Sequence, residues 1–325
     1  AFFIKNIKYP KIIFLIISLS IIPQLYLGYG TGIKVILFLV PAVVWANIID
    51  QDYFESSKYI YSLFLLLLVV IFAHFLFQID LNLMFANKSK NYISLIGIFI
   101  LTLYYISNLK SKIKLKYYPS IVYLFLSFLI GGRSGIIVSF ILVVIVIYIN
   151  LKNKINIKII LWAFFVSIII IILGFMFSNT LFNIYKVTKF YYKGIDSPRW
   201  EMIKVFLNEY SLKNIFTGYK LQGHWYFEKW NSNPHNSLIL LLSNYGIGGF
   251  VYLVALLFSI IILVTKKRFH FILILIPFGL RILTDIGLCF FGIGDIIIVY
   301  TIKTSGEYFK DYEKQRTCKC NNTNV

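Results

Sequence analysis

The feature that most constrains the fold of this chain is a series of apolar runs, each close to the length that crosses a bilayer. A membrane-spanning helix needs roughly 20 predominantly apolar residues. About ten runs approach that length, and they predict an all-α polytopic membrane protein. They lie at residues 12–27, 33–49, 59–79, 92–109, 117–131, 135–151, 157–177, 237–264, 269–283 and 287–302. With 59% hydrophobic residues, the chain falls outside the range of ordinary soluble domains.

The run at residues 237–264 is longer than a single span requires, and it contains closely spaced glycines at Gly246, Gly248 and Gly249. Glycine lowers helix stability and is frequent where helices bend. We therefore predict that this run is broken at residues 246–249 into a half-helix and a full span.

Positive charge is concentrated in alternate connections between the runs, such as residues 110–116 and 266–268. Short connections rich in lysine and arginine stay in the cytoplasm. This alternation predicts both termini in the cytoplasm and the long polar segment, residues 178–236, in the periplasm or outside the cell. It also assigns the net charge of +19 to topology and anionic membrane lipids rather than to nucleic acid.

The polar segment ends with Asn233, Pro234, His235, Asn236 and Ser237. Proline is well tolerated at the first position of a helix, so the pattern predicts Asn233 as the N-cap and His235 in the first helical turn. A group that titrates near neutral pH beside unpaired backbone N–H groups suits chemistry on a phosphorylated lipid. Histidine is also common where loops meet the membrane, and taken alone His235 favours that interfacial interpretation.

Two arginines are predicted at the outward ends of spans or external helices. Arg133 lies in the glycine-rich turn at residues 131–135, and Arg199 follows Pro198 at a predicted helix start. A guanidinium group binds phosphate oxygens in bidentate fashion and keeps its charge. Alternatively, Arg133 is a snorkelling turn residue and Arg199 a surface charge. A cation at a helix N-terminus is unfavourable unless an anion joins it, which favours a ligand at Arg199.

Intramembrane charges leave further alternatives open. Arg281 is a candidate substrate-binding residue, but an ion pair with Asp285, four residues later, is the favoured interpretation. Asp295 lies between Gly294 and an apolar run, which keeps a transporter with a proton relay open. The aromatic residues between 218 and 227 suit stacking on sugar rings and anchoring at the membrane interface equally well. No acidic cluster in the external segment predicts a metal site, and we expect no cofactor.

The order of these features resembles the O-antigen ligase and O-antigen polymerase (Wzy-type) superfamily of GT-C-like membrane glycosyltransferases. The features are the Gly-Gly-Arg-Ser-Gly turn at Arg133, the external segment with Arg199, and the motif Pro234-His235-Asn236-Ser237 with its trailing glycines. The resemblance is strongest over residues 131–264. It implies transfer of a glycan from an undecaprenyl-diphosphate carrier to a sugar hydroxyl, without metal or nucleotide sugar. It also implies that Arg133 and Arg199 bind the diphosphate, that His235 is the base, and that Asn236 contacts the substrate.

The resemblance implies an enzyme of the bacterial inner membrane whose partners are the lipid-linked oligosaccharide, an acceptor glycan, membrane lipids and other polysaccharide-assembly proteins. The favoured activity is polymerisation of repeat units; the alternatives are a ligase acting on lipid A core and a flippase or ion-coupled transporter. Many members have about twelve spans, so we expect an N-terminal piece to be missing. The predicted division is transmembrane helices at 1–130 and 131–177, a catalytic loop at 178–236, transmembrane helices at 237–303 and a cytoplasmic tail at 304–325.

Overall fold

A computed structural model of the protein describes residues 15–20, 23, 32–51, 53–81, 84, 91–151, 199–285 and 292–307. Within these ranges the chain forms helices and turns, and no strand. The helices discussed below are α1 (Gly32–Gln51), α2 (Tyr53–Leu76), α3 (Asn91–Lys110), α4 (Tyr118–Ile130), α5 (Arg133–Leu151), α6 (Arg199–Glu209), α7 (Leu212–Thr217), α8 (Ser237–Thr265), α9 (Phe269–Thr284) and α10 (residues 295–307).

The predicted fold class, an all-α polytopic membrane protein, is confirmed. Parts of four helices are long and apolar enough to cross a membrane: Ser56–Leu76, Asn91–Lys110, Arg133–Leu151 and Ser237–Thr265. Shorter apolar helices occur at Val35–Ile49, Tyr118–Ile130 and Phe269–Thr284. All of these coincide with predicted runs. The total of about ten spans remains a prediction, because the run at 157–177 and most of that at 12–27 lie outside the described residues.

The chain divides into two compact units, one formed by residues 1–56 and 198–325 and the other by residues 57–197. In the second unit, α3 is the most enclosed helix and packs against α4 and α5. Gly97 permits this approach, because a Cβ atom there would lie 2.5 Å from the ring of Tyr123. The Tyr123 hydroxyl donates to the carbonyl oxygen of Ser94 on α3.

In the first unit, the polar stretch before α8 folds into a small compact segment, residues 199–236, with a core of its own. The core residues are Met202, Phe206, Leu221, Phe227 and Ile239. Because Ile239 belongs to the first turn of α8, burying it fixes the segment on the start of that helix. The apolar side of α6 is therefore used mainly for this core, although Trp200 is exposed.

The predicted break in the long run is confirmed at Gly246, whose φ of 43° and ψ of −120° are non-helical. A Cβ atom on Gly246 would lie 2.7 Å from the backbone nitrogen of Gly218 and 2.8 Å from the carbonyl oxygen of Phe216. The residue therefore has to be glycine both for its φ and for the close approach of the end of α7 and Gly218. Near the kink, the Tyr219 N–H donates to the Ser243 carbonyl oxygen at 2.9 Å.

Candidate functional site

His235 lies in a tight turn immediately before α8, and the predicted helix start is wrong by one turn. The Oδ1 atom of Asn233 accepts a hydrogen bond from the His235 N–H at 2.8 Å, and His235 has a φ of 47°. A left-handed residue cannot continue into a right-handed helix, so the helix begins at Ser237 with Asn236 as its N-cap. Asn233 therefore shapes the turn, Pro234 is buried outside the helix, and His235 precedes the first helical turn.

Charged residues of opposite sign influence the imidazole of His235. The histidine is half-buried, and burial lowers its pKa; the positive charge of Arg199 lowers the pKa further, while the carboxylate of Asp285 opposes the shift. The net direction is downward from the usual value near 6.5. The lowered pKa favours the neutral imidazole, which is the form that can accept a proton.

The start of α8 is tied to the end of α9 by side chains that flank His235. The Nδ2 atom of Asn236 donates to the Leu283 carbonyl oxygen at 3.1 Å, and the Ser237 hydroxyl donates to the Asp285 carbonyl oxygen at 2.6 Å. Carbonyl groups in the last turn of a helix have no partner within that helix, and these two hydrogen bonds connect such groups at the end of α9 to the start of α8. This junction keeps the turn that contains His235 next to the end of α9.

Asn236 has several structural partners at this junction. Its Oδ1 atom accepts from the Leu238 N–H at 2.9 Å and from the Ile239 N–H at 3.1 Å. Together with the bond to Leu283, these contacts use both ends of an amide that is 3% exposed. The contacts describe a helix cap and an inter-helix tie; the predicted contact with substrate remains a prediction.

Arg281 and Asp285 form the ion pair that the sequence favoured. The Nη2 atom of Arg281 lies 3.3 Å from Oδ2 of Asp285, and the arginine side chain is 1% exposed. Its Nη1 atom also lies 3.5 Å from the Thr284 hydroxyl. A buried guanidinium group requires such partners, and here the pair also holds the carboxylate that acts on His235. Binding of substrate by Arg281 remains a prediction.

Arg199 begins α6, as predicted, and is partly exposed. Its side chain is close enough to His235 to influence the pKa of the imidazole. The N-terminus of a helix already carries partial positive charge, so the two together form a region that attracts anions. The charge of Arg199 thus acts on His235; that the two residues form one site and that Arg199 binds a diphosphate remain predictions.

Arg133 lies in the other unit, where the turn is shorter than predicted. Helix α4 ends at Gly131, whose φ is 73°, and α5 begins at Arg133 itself. The predicted loop at 131–135 was wrong because Arg133, Ser134 and Gly135 form the first turn of α5. Arg133 is partly exposed at this helix N-terminus, and its role as a diphosphate ligand remains a prediction.

A further polar cluster in the segment 199–236 is built around Glu209, which the sequence did not single out. Its Oε2 atom accepts from the Tyr219 hydroxyl at 2.5 Å and lies 2.6 Å from Nε2 of His224. Hydrogen bonds from Tyr219 and His224 lower the pKa of the Glu209 carboxyl group. Sequence spacing could not reveal this cluster, because burial of Phe206 and Phe227 in the core brings the elements together.

Asp295, the residue behind the transporter alternative, is fully buried at the start of α10. Its Oδ2 atom accepts from the Gly292 N–H at 3.0 Å. A carboxylate is favourable at a helix N-terminus, so this contact gives Asp295 a structural role. Within the described residues, no three His, Cys, Asp or Glu side chains are grouped as metal ligands. Metal independence remains a prediction.

These features define a polytopic membrane protein with a folded polar segment, in which the positive charge of Arg199 acts on a half-buried histidine. A family model described as O-antigen ligase matches residues 118–254, a range that includes Arg133, Arg199 and His235. Residues 118–254 are therefore similar to the O-antigen ligase family, and the predicted resemblance is confirmed. The match supports a membrane glycosyltransferase-type role in polysaccharide assembly. No curated protein and no solved structure matches the chain.

Proposed function

We propose that this protein is a membrane glycosyltransferase that polymerises undecaprenyl-diphosphate-linked oligosaccharide repeat units into a surface polysaccharide. The observation that supports this most directly is the half-buried His235 with a lowered pKa, within the electrostatic range of Arg199 and Asp285. The family match supports the reaction class. The active site would face the periplasm or the cell exterior of a bacterial cytoplasmic membrane, as the lysine-rich connections predict.

In the proposed reaction, a hydroxyl oxygen of the acceptor glycan attacks the anomeric carbon of the donor. The new C–O bond forms as the bond between that carbon and the diphosphate oxygen breaks, and undecaprenyl diphosphate leaves. His235 accepts the hydroxyl proton, for which it has to be neutral. A single displacement of this kind inverts the anomeric centre.

Arg199 is proposed to bind the departing diphosphate. Negative charge grows on the leaving group in the transition state, and a fixed guanidinium group near a helix N-terminus stabilises that charge. The same positive charge lowers the pKa of His235, so one arginine would serve both halves of the reaction. Because diphosphate is a good leaving group, no acid is required, and the proposal includes no metal ion. Arg133 remains a predicted second ligand that this proposal does not require.

The test uses cells that lack the protein, complemented with single variants of the full chain. We expect His235→Ala to abolish extended glycan and to let lipid-linked single repeat units accumulate, with normal protein in the membrane. His74→Ala is the matched control, because His74 lies on α2 and its Nδ1 atom contacts the Val70 carbonyl oxygen of its own helix. Wild-type glycan lengths in His235→Ala would reject the proposal.

A second candidate is a ligase that transfers the finished glycan to lipid A core. The observation in its favour is the description of the matching family, O-antigen ligase. The two activities share the donor and the chemistry and differ in the acceptor. Unlinked long chains in the absence of the protein would favour the ligase, whereas accumulation of single repeat units would favour the polymerase.

A further inference from the structure

Helix α8 is bent sharply at Gly246, and the bend determines how the helix can lie in a membrane. A Cβ atom on Gly249 would lie 2.7 Å from the carbonyl oxygen of Leu241. In an uninterrupted helix, two residues eight positions apart are separated by about 12 Å along the axis. The segment before the kink therefore folds back beside the segment that follows it. We call the segment before the kink, residues 237–245, the half-helix.

The segment after the kink has the length of one membrane crossing. At a rise of about 1.5 Å per residue, residues 247–265 extend over about 28 Å, close to the roughly 30 Å thickness of a hydrocarbon core. The charged turn Lys266-Lys267-Arg268 follows directly, and such charges lie at a membrane surface. With this turn at one surface, Gly246 lies at the opposite surface of the hydrocarbon core.

Helix α9 gives a second measure of the same height. Its 16 residues extend over about 24 Å from the charged turn. At its end, the Asp285 carbonyl oxygen accepts a hydrogen bond from the Ser237 hydroxyl at 2.6 Å, so the half-helix starts at this height. The two ends of the half-helix thus lie at similar distances from the charged turn. The half-helix therefore runs roughly parallel to the membrane surface rather than across the bilayer.

Helix α7 packs on the kink with its C-terminal end. The Tyr219 N–H donates to the Ser243 carbonyl oxygen at 2.9 Å, and a Cβ atom on Gly246 would lie 2.8 Å from the Phe216 carbonyl oxygen. Helix α7 therefore lies at the height of the kink, at the boundary of the hydrocarbon core. Two apolar side chains on one face of α7 are exposed there: Leu212 is 80% exposed and Phe216 is 63% exposed.

Backbone groups at both ends of α7 have hydrogen-bond partners. The Ser211 N–H donates to Oδ1 of Asn214 at 2.8 Å at the start of the helix. At its end, the Gly218 N–H donates to the Asn214 carbonyl oxygen at 2.9 Å, and the Nδ2 atom of Asn214 donates to the Gly218 carbonyl oxygen at 3.1 Å. Unsatisfied backbone groups are costly next to hydrocarbon, so these bonds suit a helix placed at its boundary.

We propose that α7 is an interfacial anchor whose Leu212 and Phe216 side chains insert at the boundary between lipid headgroups and acyl chains. The bilayer is the occupant of this face, because α8 and α9 both give the height at which α7 lies. The charges near α7 are mixed: Lys213 and Lys220 are exposed, and so is the carboxylate of Glu209. Burial of apolar side chains therefore drives the insertion, and lipid charge is not required. This placement does not depend on the proposed glycan transfer.

Spin labels on single cysteines test the placement, with the full chain in nanodiscs and alanine in place of Cys289, Cys318 and Cys320. Molecular oxygen partitions into the bilayer, whereas a nickel chelate stays in water. Labels at Leu212→Cys and Phe216→Cys should have a severalfold higher ratio of oxygen to nickel accessibility than a label at Lys213→Cys.

The Lys213 position is the matched control for these labels. Lys213 is exposed on the same helix as Leu212 but lies about 100° around the axis from it. A label at Leu257→Cys gives the value for the bilayer interior, because Leu257 is 50% exposed in the middle of residues 247–265.

Three results can be told apart. Labels at positions 212 and 216 that are as accessible to nickel as the label at 213 would place this face in water. Labels shielded from both oxygen and nickel would place it against protein, such as a second copy of the chain. Either result would overturn the inference. The accessibility ratio should be equal in zwitterionic and anionic lipid, and insertion that requires anionic lipid would contradict the apolar mechanism.

A measurement on the unmodified chain covers the case in which a labelled variant does not fold. Lipid that carries a diazirine near the start of its acyl chain forms adducts with adjacent side chains on illumination. Mass spectrometry should find adducts on Leu212 and Phe216 as well as on residues 247–265. Adducts on residues 247–265 without any on residues 211–217 would overturn the inference.

Discussion

Removing the Ser237 hydroxyl should loosen the junction that holds His235. Ser237 is 2% exposed, and its hydroxyl donates to the Asp285 carbonyl oxygen at 2.6 Å across the gap between α8 and α9. Ser237→Ala removes this hydrogen bond, which joins the first residue of α8 to the residue that follows α9. Loss of a typical intramolecular hydrogen bond costs about 1 kcal/mol.

The chain offers a matched control on the same helix. Ser259 is 3% exposed, and its hydroxyl donates to the Ala255 carbonyl oxygen at 2.7 Å. That carbonyl lies within α8 and takes part in the helix's own hydrogen bonding, so Ser259→Ala should change stability by no more than about 0.5 kcal/mol. The two substitutions remove the same group from equally buried sites and differ in whether the bond joins two helices.

Steric trapping in lipid bicelles gives the free energy of unfolding for both variants. Glycan transfer by the same preparations should fall severalfold in Ser237→Ala and remain unchanged in Ser259→Ala, because only the first releases the turn that carries His235. Equal unfolding free energies for the two variants would refute the assigned role of the junction. Reduced stability with unchanged transfer would show that the junction stabilises the fold without positioning His235.

The remaining predictions concern topology, metal and the alternative residues. Cysteines placed at Lys114 and Lys267 should label from the cytoplasm and one at Lys213 from outside; labelling of 114 and 213 from one side would exclude the predicted topology. Transfer by purified protein should survive EDTA, and full loss that magnesium or manganese restores would contradict the arginine-based mechanism. Asp295→Asn should leave glycan length nearly unchanged under the proposed chemistry and abolish export under a transport mechanism. Arg133→Lys should impair transfer if its planar fork binds diphosphate, and unchanged rates would remove it from the site.

Local signals in the sequence predicted much of the architecture. The apolar runs gave the positions of the described spans, because their length is set by the bilayer. The break at Gly246 and the helix start at Arg199 followed from glycine and proline, whose effects on the backbone are local. The pairing of Arg281 with Asp285 followed from their spacing on one helix face.

The start of α8 could not be predicted from local signals, because two asparagines compete to cap it. Asn233 precedes a proline and looked like the better N-cap, yet Asn236 takes the role. Its amide also reaches Leu283, a residue far away in the sequence, and that contact favours the later start. The sequence therefore predicts His235 in the first helical turn, whereas it lies in the turn before the helix.

Which charged residues act on His235 is likewise determined by the tertiary structure. The sequence predicts Asp285 only as the ion-pair partner of Arg281. In the structure, the negative charge of Asp285 also acts on the imidazole of His235. The contact of Glu209 with His224 has the same origin, since it depends on packing around Phe206. Sequence spacing identifies which residues are capable of chemistry, and packing decides which of them act together.

The pH dependence of kcat/KM for glycan transfer tests the role of His235 as a base most directly. Because the pKa of His235 is lowered and its neutral form is active, activity should persist at pH 7 and be lost as the pH falls through a value below 6.5. Arg199→Gln removes a charge that lowers this pKa, so the acid limb should move to higher pH. Asp285→Asn removes a charge that raises it, so the limb should move to lower pH. Shifts in these opposite directions are the predicted result, and an acid limb that stays in place in both variants would contradict the account.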